Sequence, residues 1–509
     1  MKEIVTCQEM KALDRNTIEK MKVPSCVLME RAALKTAEEM EKFFAERKEK
    51  ERILCVCGSG NNGGDGAALA RILFLHGFQA EIYMAGSQEH MTEETKRQFE
   101  IAGNYHVPIV NNPEWGEYTT IVDAIFGVGL TRPVEGRYAE LIRRMNQTGA
   151  WKVAVDIPSG VNGDTGMEMG TAFHADLTVT FGFVKAGLCL YPGRLLAGRT
   201  AAADIGIYRK PGERGKYFIM EKEDLAGLPA RPPYGNKGTF GKVLAVAGSP
   251  GMCGAACFCG AAAFASGAGM VRIFTPEENR IPLQTLLPEA ILTCEKGEEA
   301  METAFRWCDV LIIGPGLGTS GGSAESAFWF LKKAFQEKKP VILDADGLNL
   351  LSENPGWKPF LGGNVIVTPH MGEMSRLTGK SIEEIKKNRI EAAVSYAEET
   401  GTVCVLKDAC TVTAGPDGEA FINLSGNSGM GVAGSGDVLC GVLAGMACMF
   451  RNSPEGTASL LKPAALGVFL HGKAGDRAAE KKGQYGMTAG DLIPEISYAL
   501  QDGGSHEAL

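Results

Sequence analysis

A glycine-rich run directly after the apolar segment ILCVC is the first stretch that could do chemistry. It reads GSGNNGGDG over residues 58–66 and leads into the helix-like AALARIL. Glycine lets backbone N–H groups approach an anion, and a helix N-terminus favours negative charge. Gly58, Gly60 and Gly63 also satisfy GxGxxG, with the acidic Glu81 about 20 residues later. The run indicates phosphate binding, and a dinucleotide-dependent dehydrogenase is one alternative.

Side-chain oxygens follow three successive apolar runs and favour a different chemistry. They belong to Asn61, Asn62 and Asp65, to Asp123, and to Asp156 and Ser159. Because the carboxyl ends of parallel strands face one crevice, we expect these three loops to converge. Such oxygens suit a hard cation or a polar substrate. The structural alternative is that each aspartate caps a following helix.

A second cluster combines free amides with a carboxylate in GNSGMGVAGSGDVLCGVLAG, residues 426–445. Gly434, Ser435 and Gly436 precede Asp437 at the start of an apolar helix-like segment. Amides at a helix start stabilise a phosphoryl group, while a carboxylate can take a proton from the accepting hydroxyl. The cluster favours phosphoryl transfer with Asp437 as base, and capping by Asp437 is the alternative. Neither GxxxxGKS nor GxxxxGKT occurs, so a P-loop enzyme is not supported.

The cysteines and histidines do not predict a transition-metal site. The chain has 14 Cys and 7 His, but it contains no CxxC pair and no HExxH. Without a signal peptide in the sequence, we interpret the cysteines as reduced and mostly buried small apolar residues.

Two series of strand-length apolar runs alternate with helix-like segments. The first is ILCVC, AEIYMAG, TTIVDAIFG, WKVAVDIPSG and LTVTFGF, and the second is KVLAVAGSP, MVRIFTP, VLIIGPGLG, PVILDADGLN, VIVTPH and TVCVLKDACT. Such alternation predicts crossover units and mainly parallel sheets, and therefore two α/β domains.

The domain boundary is expected near residue 215. Proline, glycine and basic residues replace apolar periodicity in residues 209–242, so the predicted domains are residues 1–214 and 215–509. Helical spacing predicts helices within residues 7–46, ahead of the first strand, and over residues 66–76 and 382–400. The Ala- and Gly-rich helix within residues 246–269 predicts that another surface approaches it closely.

Composition excludes several classes of protein. The chain has 509 residues, with 52 Lys and Arg against 61 Asp and Glu, and a net charge of −9. This balance lacks the basic field of a generic nucleic-acid or anionic-membrane binder. The longest apolar stretch, residues 438–450, is shorter than the roughly 17 to 25 residues of a membrane span. The first residues mix charges and have no apolar core of a signal peptide, so we expect a cytoplasmic protein.

Five ordered motifs in the first half resemble the epimerase domain of the NAD(P)HX-repair proteins, where NAD(P)HX is hydrated NADH or NADPH. They are LMERAA (28–33), GNNGGDG (60–66), DAIFGVGLTRPVEG (123–136), VDIPSGVNGDTG (155–166) and KAGLCLYPG (185–193). The resemblance implies a Rossmann-like three-layer fold that interconverts R and S epimers beside a potassium ion. Ala33, where the family often has glycine, falls on none of the implied contacts.

The same resemblance implies residue roles. Potassium would contact Asn62, Asp123 and Ser159. The hydrated nucleotide would contact Asn61, Asn62, Gly63, Gly64, Asp65, Gly127, Val128, Gly129, Leu130, Thr131, Arg132, Pro133, Tyr138 and Asp156. Epimerisation at C6 requires loss and return of hydroxide or ring opening, and a positioned carboxyl group can assist either by proton transfer. Asp156 is the candidate acid and base.

Motifs of the second half resemble the ribokinase-like dehydratase domain of the same proteins. They are VAGSPGMCGAA, GPGLG, LDADGLN, TPHMGE, LKDACT and AGSGDVL, within residues 225–500. The implied reaction phosphorylates the C6 hydroxyl of the S epimer from ADP or ATP, after which phosphate leaves and NADH or NADPH is restored. Because both activities lie on one chain, the resemblance favours ADP, with AMP and phosphate as products and Mg²⁺ as counter-ion.

In this second domain Asp437 would be the base, with Gly436 near the nucleotide phosphates. Lys407, Asp408, Ala409, Cys410 and Thr411 would bind the nucleotide, and Ala255, Gly316, Gly318, His370 and Asp437 would face the substrate. Two positions depart from the family pattern. Asp408 replaces a common glycine, and Ala433-Gly434-Ser435 replaces Gly-Gly-Thr.

The resulting hypothesis is a bifunctional metabolite-repair enzyme, an isomerase fused to a lyase. It predicts NADHX, NADPHX and ADP as partners, no nucleic acid or membrane, and a homo-oligomer. The alternatives are a dehydrogenase at the first glycine run, a ribokinase-type small-molecule kinase fused to a nucleotide-binding domain, and a non-catalytic nucleotide-binding or scaffold protein.

Overall fold

The computed structural model describes residues 1–44, 51–320, 322–453 and 459–503. The chain divides into two compact units, Glu3–Gly215 and Lys216–Leu509, the latter with Met1–Lys2. Both units are α/β. Residues 45 and 46, at the end of the helical stretch expected over residues 7–46, lie outside the described residues.

The first unit is built on a parallel sheet of seven strands with helices on both faces. Its strands are β2 (Arg52–Cys57), β3 (Gln79–Met84), β4 (Ile109–Val110), β5 (Thr120–Ala124), β6 (Trp151–Val155), β7 (Leu177–Phe181) and β9 (Arg199–Ala203). Two further strands, β1 (Lys2–Val5) and β8 (Val184–Lys185), pair with each other outside this sheet. The helices are α1 (Cys7–Glu19), α2 (Ser25–Phe44), α3 (Asn61–Leu75), α4 (Glu93–Asn104), α5 (Gly136–Gln147) and α6 (Gly193–Leu196).

The order of this sheet, β4-β3-β2-β5-β6-β7-β9, reverses direction between β2 and β5. A crevice forms at such a switch point, outside the carboxyl ends of the strands. Successive residues of β2 alternate between two cores: Cys55 packs with α2 and α3, and Val56 packs with α5. Burial of both faces explains why these strands read as continuous apolar runs.

The structure corrects the expectation that helices precede the first strand. Strand β1 comes before α1 and pairs in parallel with β8, with Val5 opposite Lys185. Only two of its residues, Ile4 and Val5, are fully buried. A pattern this short does not stand out in a sequence.

The second unit contains a mixed sheet with the order β13-β12-β11-β14-β15-β16-β17-β18-β19-β10. Its strands are β10 (Tyr217–Ile219), β11 (Lys242–Val246), β12 (Met270–Phe274), β13 (Ile291–Thr293), β14 (Val310–Ile313), β15 (Val341–Leu343), β16 (Val365–Val367), β17 (Val403–Leu406), β18 (Val412–Ala414) and β19 (Ala420–Ile422). Its helices are α7 (Cys253–Ala265), α8 (Arg280–Leu286), α9 (Glu298–Trp307), α10 (Ser323–Glu337), α11 (Asp346–Glu353), α12 (Met371–Thr378), α13 (Ile382–Lys387), α14 (Arg389–Thr400), α15 (Ser435–Phe450), α16 (Leu461–Lys482) and α17 (Ala489–Gly503).

Helices α7 and α15 pack so closely that glycine is required between them. A Cβ on Gly441 would lie 2.3 Å from the carbonyl oxygen of Cys259, and one on Gly445 would lie 2.0 Å from Ser266 Oγ. The close approach expected for the Ala- and Gly-rich helix is confirmed. It brings the start of α15 to the strand ends around the switch point between β11 and β14.

Two local expectations were wrong. The helix expected over residues 382–400 is two helices, because Asn388 leaves helical geometry at φ −137° and ψ 60°, and asparagine favours helix ends over helix interiors. Residues 209–242 also include a strand, β10, which pairs with β19.

Among the described residues, no helix combines the length and apolarity needed to cross a membrane.

Gly63 is the residue whose replacement should damage the first unit most directly. A Cβ at this position would lie 1.8 Å from the carbonyl oxygen of Gly58, a backbone atom that has no room to move. We expect Gly63→Ala to lower the free energy of unfolding by about 2 kcal/mol or more. Gly60→Ala is the matched control, since no atom lies within 4 Å of its Cβ position. Urea unfolding followed by circular dichroism compares the two, and equal stabilities would contradict the steric argument.

Candidate functional site

A cavity of about 740 Å³ lies at the switch point of the first unit. Among its lining residues are ten that the sequence predicted to contact the hydrated nucleotide. They are Asn61, Asn62, Asp65, Gly127, Val128, Gly129, Leu130, Thr131, Arg132 and Asp156. The loops after β2, β5 and β6 therefore converge, as expected from parallel strand ends.

Four other predicted contacts are not among the residues that line this cavity: Gly63, Gly64, Pro133 and Tyr138. Gly63 and Gly64 lie in the first turn of α3, where a Cβ on Gly64 would come within 2.8 Å of Met29 Cε. The ring of Tyr138 packs 5.0 Å from that of Phe126, which does line the cavity. Their roles toward a ligand stay predictions.

Asp156 lines the cavity directly after β6 and is 7% exposed. Its φ is +67°, in a left-handed region that aspartate tolerates better than most residues. Asp156 Oδ1 accepts hydrogen bonds from Lys185 Nζ at 2.5 Å, Thr180 Oγ1 at 3.2 Å and Phe181 N at 3.3 Å. In the part of the chain that the structure describes, Oδ2 has no hydrogen-bond partner. One oxygen is thus fixed while the other is available to a ligand.

Lys185 is the residue that sequence reasoning missed in this site. It is 1% exposed, and besides Asp156 its Nζ donates to Thr180 Oγ1 at 3.0 Å and to the Phe181 carbonyl at 2.9 Å. Removing one member of a buried ion pair typically costs about 3–5 kcal/mol, so the orientation of Asp156 is firmly held. A lysine within the apolar segment FVKAGL was the available signal, because lysine is almost never buried unless paired.

Two further carboxyl groups line the same cavity, those of Asp14 and Asp65. Burial raises the pKa of Asp65 well above its ordinary value, and the negative charges of Asp156 and Asp14 raise it further. Burial also raises the pKa of Asp14, with Asp156 adding to the effect. A carboxyl group with a raised pKa next to a lysine-paired aspartate is suited to donate a proton as well as to accept one. Asp14 was not among the predicted residues.

The predicted potassium ligands Asp123 and Ser159 are in direct contact. Ser159 Oγ donates to Asp123 Oδ1 and Ser159 N donates to Asp123 Oδ2, both at 2.7 Å. Asp123 is 0% exposed, and burial raises its pKa to about 6 against the lowering effect of hydrogen bonds from Ser159 and Ile125. Among the described residues no basic side chain forms an ion pair with Asp123.

The third predicted potassium ligand, Asn62, adjoins the loop that carries these groups. Phe126 N donates to Ser159 Oγ at 2.9 Å, and the next residue, Gly127, has its Cβ position 3.2 Å from Asn62 Oδ1. Asn62 Nδ2 is buried and has no hydrogen-bond partner among the residues that the structure describes. A buried polar atom without a partner is costly, so this amide is arranged for something beyond the protein itself.

Glu81 bears on the dehydrogenase alternative, which would use it to bind a ribose. Its carboxylate instead accepts a hydrogen bond from Tyr118 OH at 2.6 Å and pairs with Arg52 at 3.4 Å. Glu81 lies inside β3 and is not among the residues that line the cavity. The structure therefore gives no support to the GxGxxG interpretation.

The second unit gathers its polar groups around an ion pair between the partly buried Lys407 and the buried Asp344. Lys407 Nζ donates to Asp344 Oδ1 at 2.6 Å and lies 3.9 Å from Glu373 Oε2. Burial would raise the pKa of Asp344, but the Lys407 ammonium group holds it below its ordinary value. Asp344 and Glu373 in turn raise the pKa of Lys407 against the effect of burial. Cys440 Sγ donates to Asp344 Oδ2 at 3.1 Å.

The start of α15 lies against this pair. The Cβ position of Gly436 is 3.6 Å from Lys407 Nζ and 3.8 Å from Asp344 Oδ2. Asp437 follows in the first turn of the helix. Burial is the main cause that raises the pKa of Asp437 to about 6, and Asp344 adds to the rise while Lys407 opposes it. Helix amides, an ammonium group and a carboxyl group thus meet at one point, which suits phosphoryl transfer.

Three predicted substrate contacts lie close together: Ala255 in the first turn of α7, and Gly316 and Gly318 in the loop after β14. The Cβ position of Gly316 is 2.9 Å from Ala255 Cβ, so these two residues adjoin. Gly318 N donates to Asp346 Oδ2 at 2.8 Å. Asp346 also contributes to the raised pKa of Asp437, which places the Gly318 loop near the proposed base.

His370, the fourth predicted contact besides Asp437, caps helix α12. Its Nδ1 accepts hydrogen bonds from Gly372 N at 2.9 Å and Glu373 N at 3.3 Å. Burial lowers the pKa of His370, and the positive charge of Lys407 lowers it further. The backbones of His370 and Lys407 form an isolated parallel β-bridge. His370 therefore lies at the edge of the same cluster.

The predicted nucleotide-binding residues Lys407, Asp408, Ala409, Cys410 and Thr411 follow β17. Of these, Lys407 faces the cluster, whereas Asp408 pairs with Arg389 at 2.6 Å. Thr411 Oγ1 donates to the Asp408 carbonyl at 3.1 Å, and Cys410 is buried. The segment is a tight turn, and the aspartate that departs from the family pattern has a partner of its own.

Two family models match the chain, one for each unit. The model described as YjeF-related protein N-terminus matches residues 25–187, and the model described as NAD(P)H-hydrate dehydratase matches residues 243–497.

Relatives that match nearly the whole length of this chain share one description. A bifunctional NAD(P)H-hydrate repair enzyme of Moorella thermoacetica is 37% identical over 98% of this chain and 97% of its own length. One from Thermofilum pendens is 35% identical over 98% of this chain and 96% of its own length. Among solved structures, a ribokinase-like superfamily protein of Enterococcus faecalis is similar with a TM-score of 0.50 and 25% identity, covering 58% of this chain and 99% of that one.

Proposed function

This chain belongs to the family of bifunctional NAD(P)H-hydrate repair enzymes, and from that premise we propose an activity for each unit. The first unit interconverts the R and S epimers of hydrated NADH and NADPH. The second dehydrates the S epimer with ADP and releases NADH or NADPH, AMP and phosphate. The observation that carries the proposal is that each unit holds its own cluster, one around Asp156 and Lys185 and one around Asp437 and Lys407.

In the epimerase reaction, Asp156 transfers the proton of the C6 hydroxyl. Lys185 fixes Asp156 Oδ1, which leaves Oδ2 for the substrate. As Asp156 takes this proton, the C6–N1 bond breaks to give an open-chain aldehyde, and Asp65, which lines the same cavity and has a raised pKa, protonates N1. Closure of N1 on the other face of the aldehyde returns both protons and gives the other epimer. Phosphates of the substrate bind the loop of residues 127–132, where Leu130 N donates to the Gly127 carbonyl at 3.2 Å and neighbouring amides remain for the anion.

Potassium would be held by Asn62, Asp123 and Ser159, and these residues fit such an ion. The buried carboxylate of Asp123 lacks a basic partner among the described residues, and Asn62 has an amide oxygen beside the loop that Ser159 contacts. A buried charge is stable only when it is paired, and a cation bound through oxygen ligands would pair it. When bound, the ion supplies positive charge that orients polar groups of the substrate.

In the dehydratase reaction, the oxygen of the C6 hydroxyl attacks the β-phosphoryl group of ADP, and AMP leaves. Asp437 accepts the proton of that hydroxyl. The C6–O bond then breaks to release phosphate, and loss of a C5 proton forms the C5=C6 bond. Lys407 and the first-turn amides of α15 bind the transferred group.

Magnesium would enter this site with the nucleotide. Among the residues described, no three or more His, Cys, Asp or Glu side chains are grouped to hold a metal ion. Nucleotide-bound Mg²⁺ keeps several waters and uses phosphate oxygens with one or two carboxylates, so it needs no dedicated cage. The homo-oligomeric state stays a prediction.

The two activities should be separable by single substitutions. Asp437→Asn should lower the rate of NADH regeneration from S-NADHX and ADP by about a thousandfold, since a base is lost, while R-to-S conversion continues. Asp156→Asn should have the opposite pattern. Absorbance of the reduced nicotinamide measures the first activity, and chromatography of the epimers measures the second. A variant that loses both activities, or neither, would contradict the assignment, and a stable phosphorylated product would favour the kinase alternative.

The dehydratase rate should rise with pH through about 6. Asp437 has a pKa raised to about 6, and only its ionised form, present above that pH, can accept a proton. We expect kcat/KM for S-NADHX to fall about tenfold per pH unit below the pKa and to level off above it. The residual rate of Asp437→Asn in the same buffers is the control, since this variant lacks the titrating carboxyl group. A dehydratase rate that declines as pH rises through 6 would exclude Asp437 as the base.

Removing potassium should lower the epimerase rate and the thermal stability of the first unit. In choline chloride at the same ionic strength as potassium chloride, we expect the epimerase rate to fall at least about fivefold. Thermal unfolding should also shift upward on adding potassium, because ligand binding stabilises the folded state. Asp123→Asn should abolish that shift. Identical unfolding curves for the wild-type protein in the two salts would refute the potassium site.

A further inference from the structure

A second cavity of about 570 Å³ adjoins the first one in the first unit. The two cavities share Lys11, Val128, Leu130 and Thr131, so they meet along one side of the 127–132 loop. The second cavity is not lined by Asp156, which lies in the first. A ligand whose reacting ring lies beside Asp156 can therefore extend past this loop into the second cavity.

Two cationic side chains line the second cavity and have no partner among the described residues. Lys11 and Arg15 are exposed, lie four residues apart on α1 and line this cavity together. Within the described part of the chain, neither forms a hydrogen bond, ion pair or ring contact. Side chains at this spacing are neighbours on one helix face, about 5–6 Å apart at Cβ, so both can contact one anion.

One carboxylate lies in the same cavity, that of Asp164. Its Oδ1 accepts a hydrogen bond from Cys7 N at 2.5 Å. In other dinucleotide sites an acidic residue accepts a ribose hydroxyl, and a nearby arginine accommodates a 2′-phosphate. This cavity offers both kinds of group.

We propose that the second cavity binds the adenosine end of the hydrated dinucleotide, and that Lys11 and Arg15 bind its 2′-phosphate and favour NADPHX over NADHX. The proposal rests on the epimerase function proposed above. A phosphate dianion receives charge-assisted hydrogen bonds from both cations, whereas a ribose hydroxyl forms no ion pair with them and can donate only to the Asp164 carboxylate. The selectivity resides in α1, outside the motifs that carry the reaction.

The test compares both substrates in matched variants. Arg15→Ala should lower the ratio of kcat/KM for R-NADPHX over R-NADHX about tenfold, mainly through KM, and Lys11→Ala should lower it similarly. Lys20→Ala is the control, because Lys20 is exposed, ends the same helix and lines neither cavity. An unchanged ratio would overturn the proposal. Equal losses on both substrates would also overturn it, since they would indicate contacts to a group that the two share.

A binding measurement separates this proposal from the function on which it rests. Calorimetry should find that the wild-type protein binds adenosine 2′,5′-bisphosphate more tightly than 5′-AMP, and that Arg15→Ala removes this preference. If the wild-type protein binds both equally, the 2′-phosphate site is wrong even where epimerisation is observed. If the preference is present and lost in Arg15→Ala while the wild-type protein does not epimerise NADHX or NADPHX, the site stands and the proposed reaction fails.

Discussion

Each candidate site is organised around an ion pair between a lysine and a buried aspartate. Lys185 and Asp156 are 2.5 Å apart in the first unit, and Lys407 and Asp344 are 2.6 Å apart in the second. Charges removed from water are tolerated only where partners and hydrogen bonds are close to ideal. Strand ends meet this requirement because their positions are fixed by the sheet. The pairs therefore confine the surrounding loops to one arrangement, and their charges modify the pKa values of neighbouring carboxyl groups, which burial raises.

Close backbone contact is the second constraint, and it changes what the glycine-rich runs mean. Gly58 and Gly63 lie against each other, and a Cβ on Gly314 would lie 1.9 Å from the Asp344 carbonyl. These glycines are required by packing, whatever ligand is bound. The interpretation of glycine as a phosphate-binding signal was therefore incomplete. The groups that remain for a ligand are those beside the glycines, such as Asn62, the Val128 loop and Asp437.

Much of the fold was predictable because its strands are buried on both faces. Runs such as ILCVC and VLII stand out in sequence for that reason, and the convergence of their ends follows from parallel pairing. Lys185 and Asp344 were not assigned roles, because burial of a charge depends on a partner distant in sequence. The break at Asn388 and the short strand β1 were not predicted for a different reason. Each depends on a few residues whose local preference for that structure is weak.

Pairing between β1 and β8 links the beginning of the chain to the chemistry of the first unit. Val5 lies opposite Lys185, the residue that orients Asp156. The amino-terminal strand is thus a structural support for the lysine, although it is remote from every recognisable motif. Truncation, extension or fusion at that end should therefore change the orientation of Asp156 first. The rate of proton transfer should fall before the fold is lost.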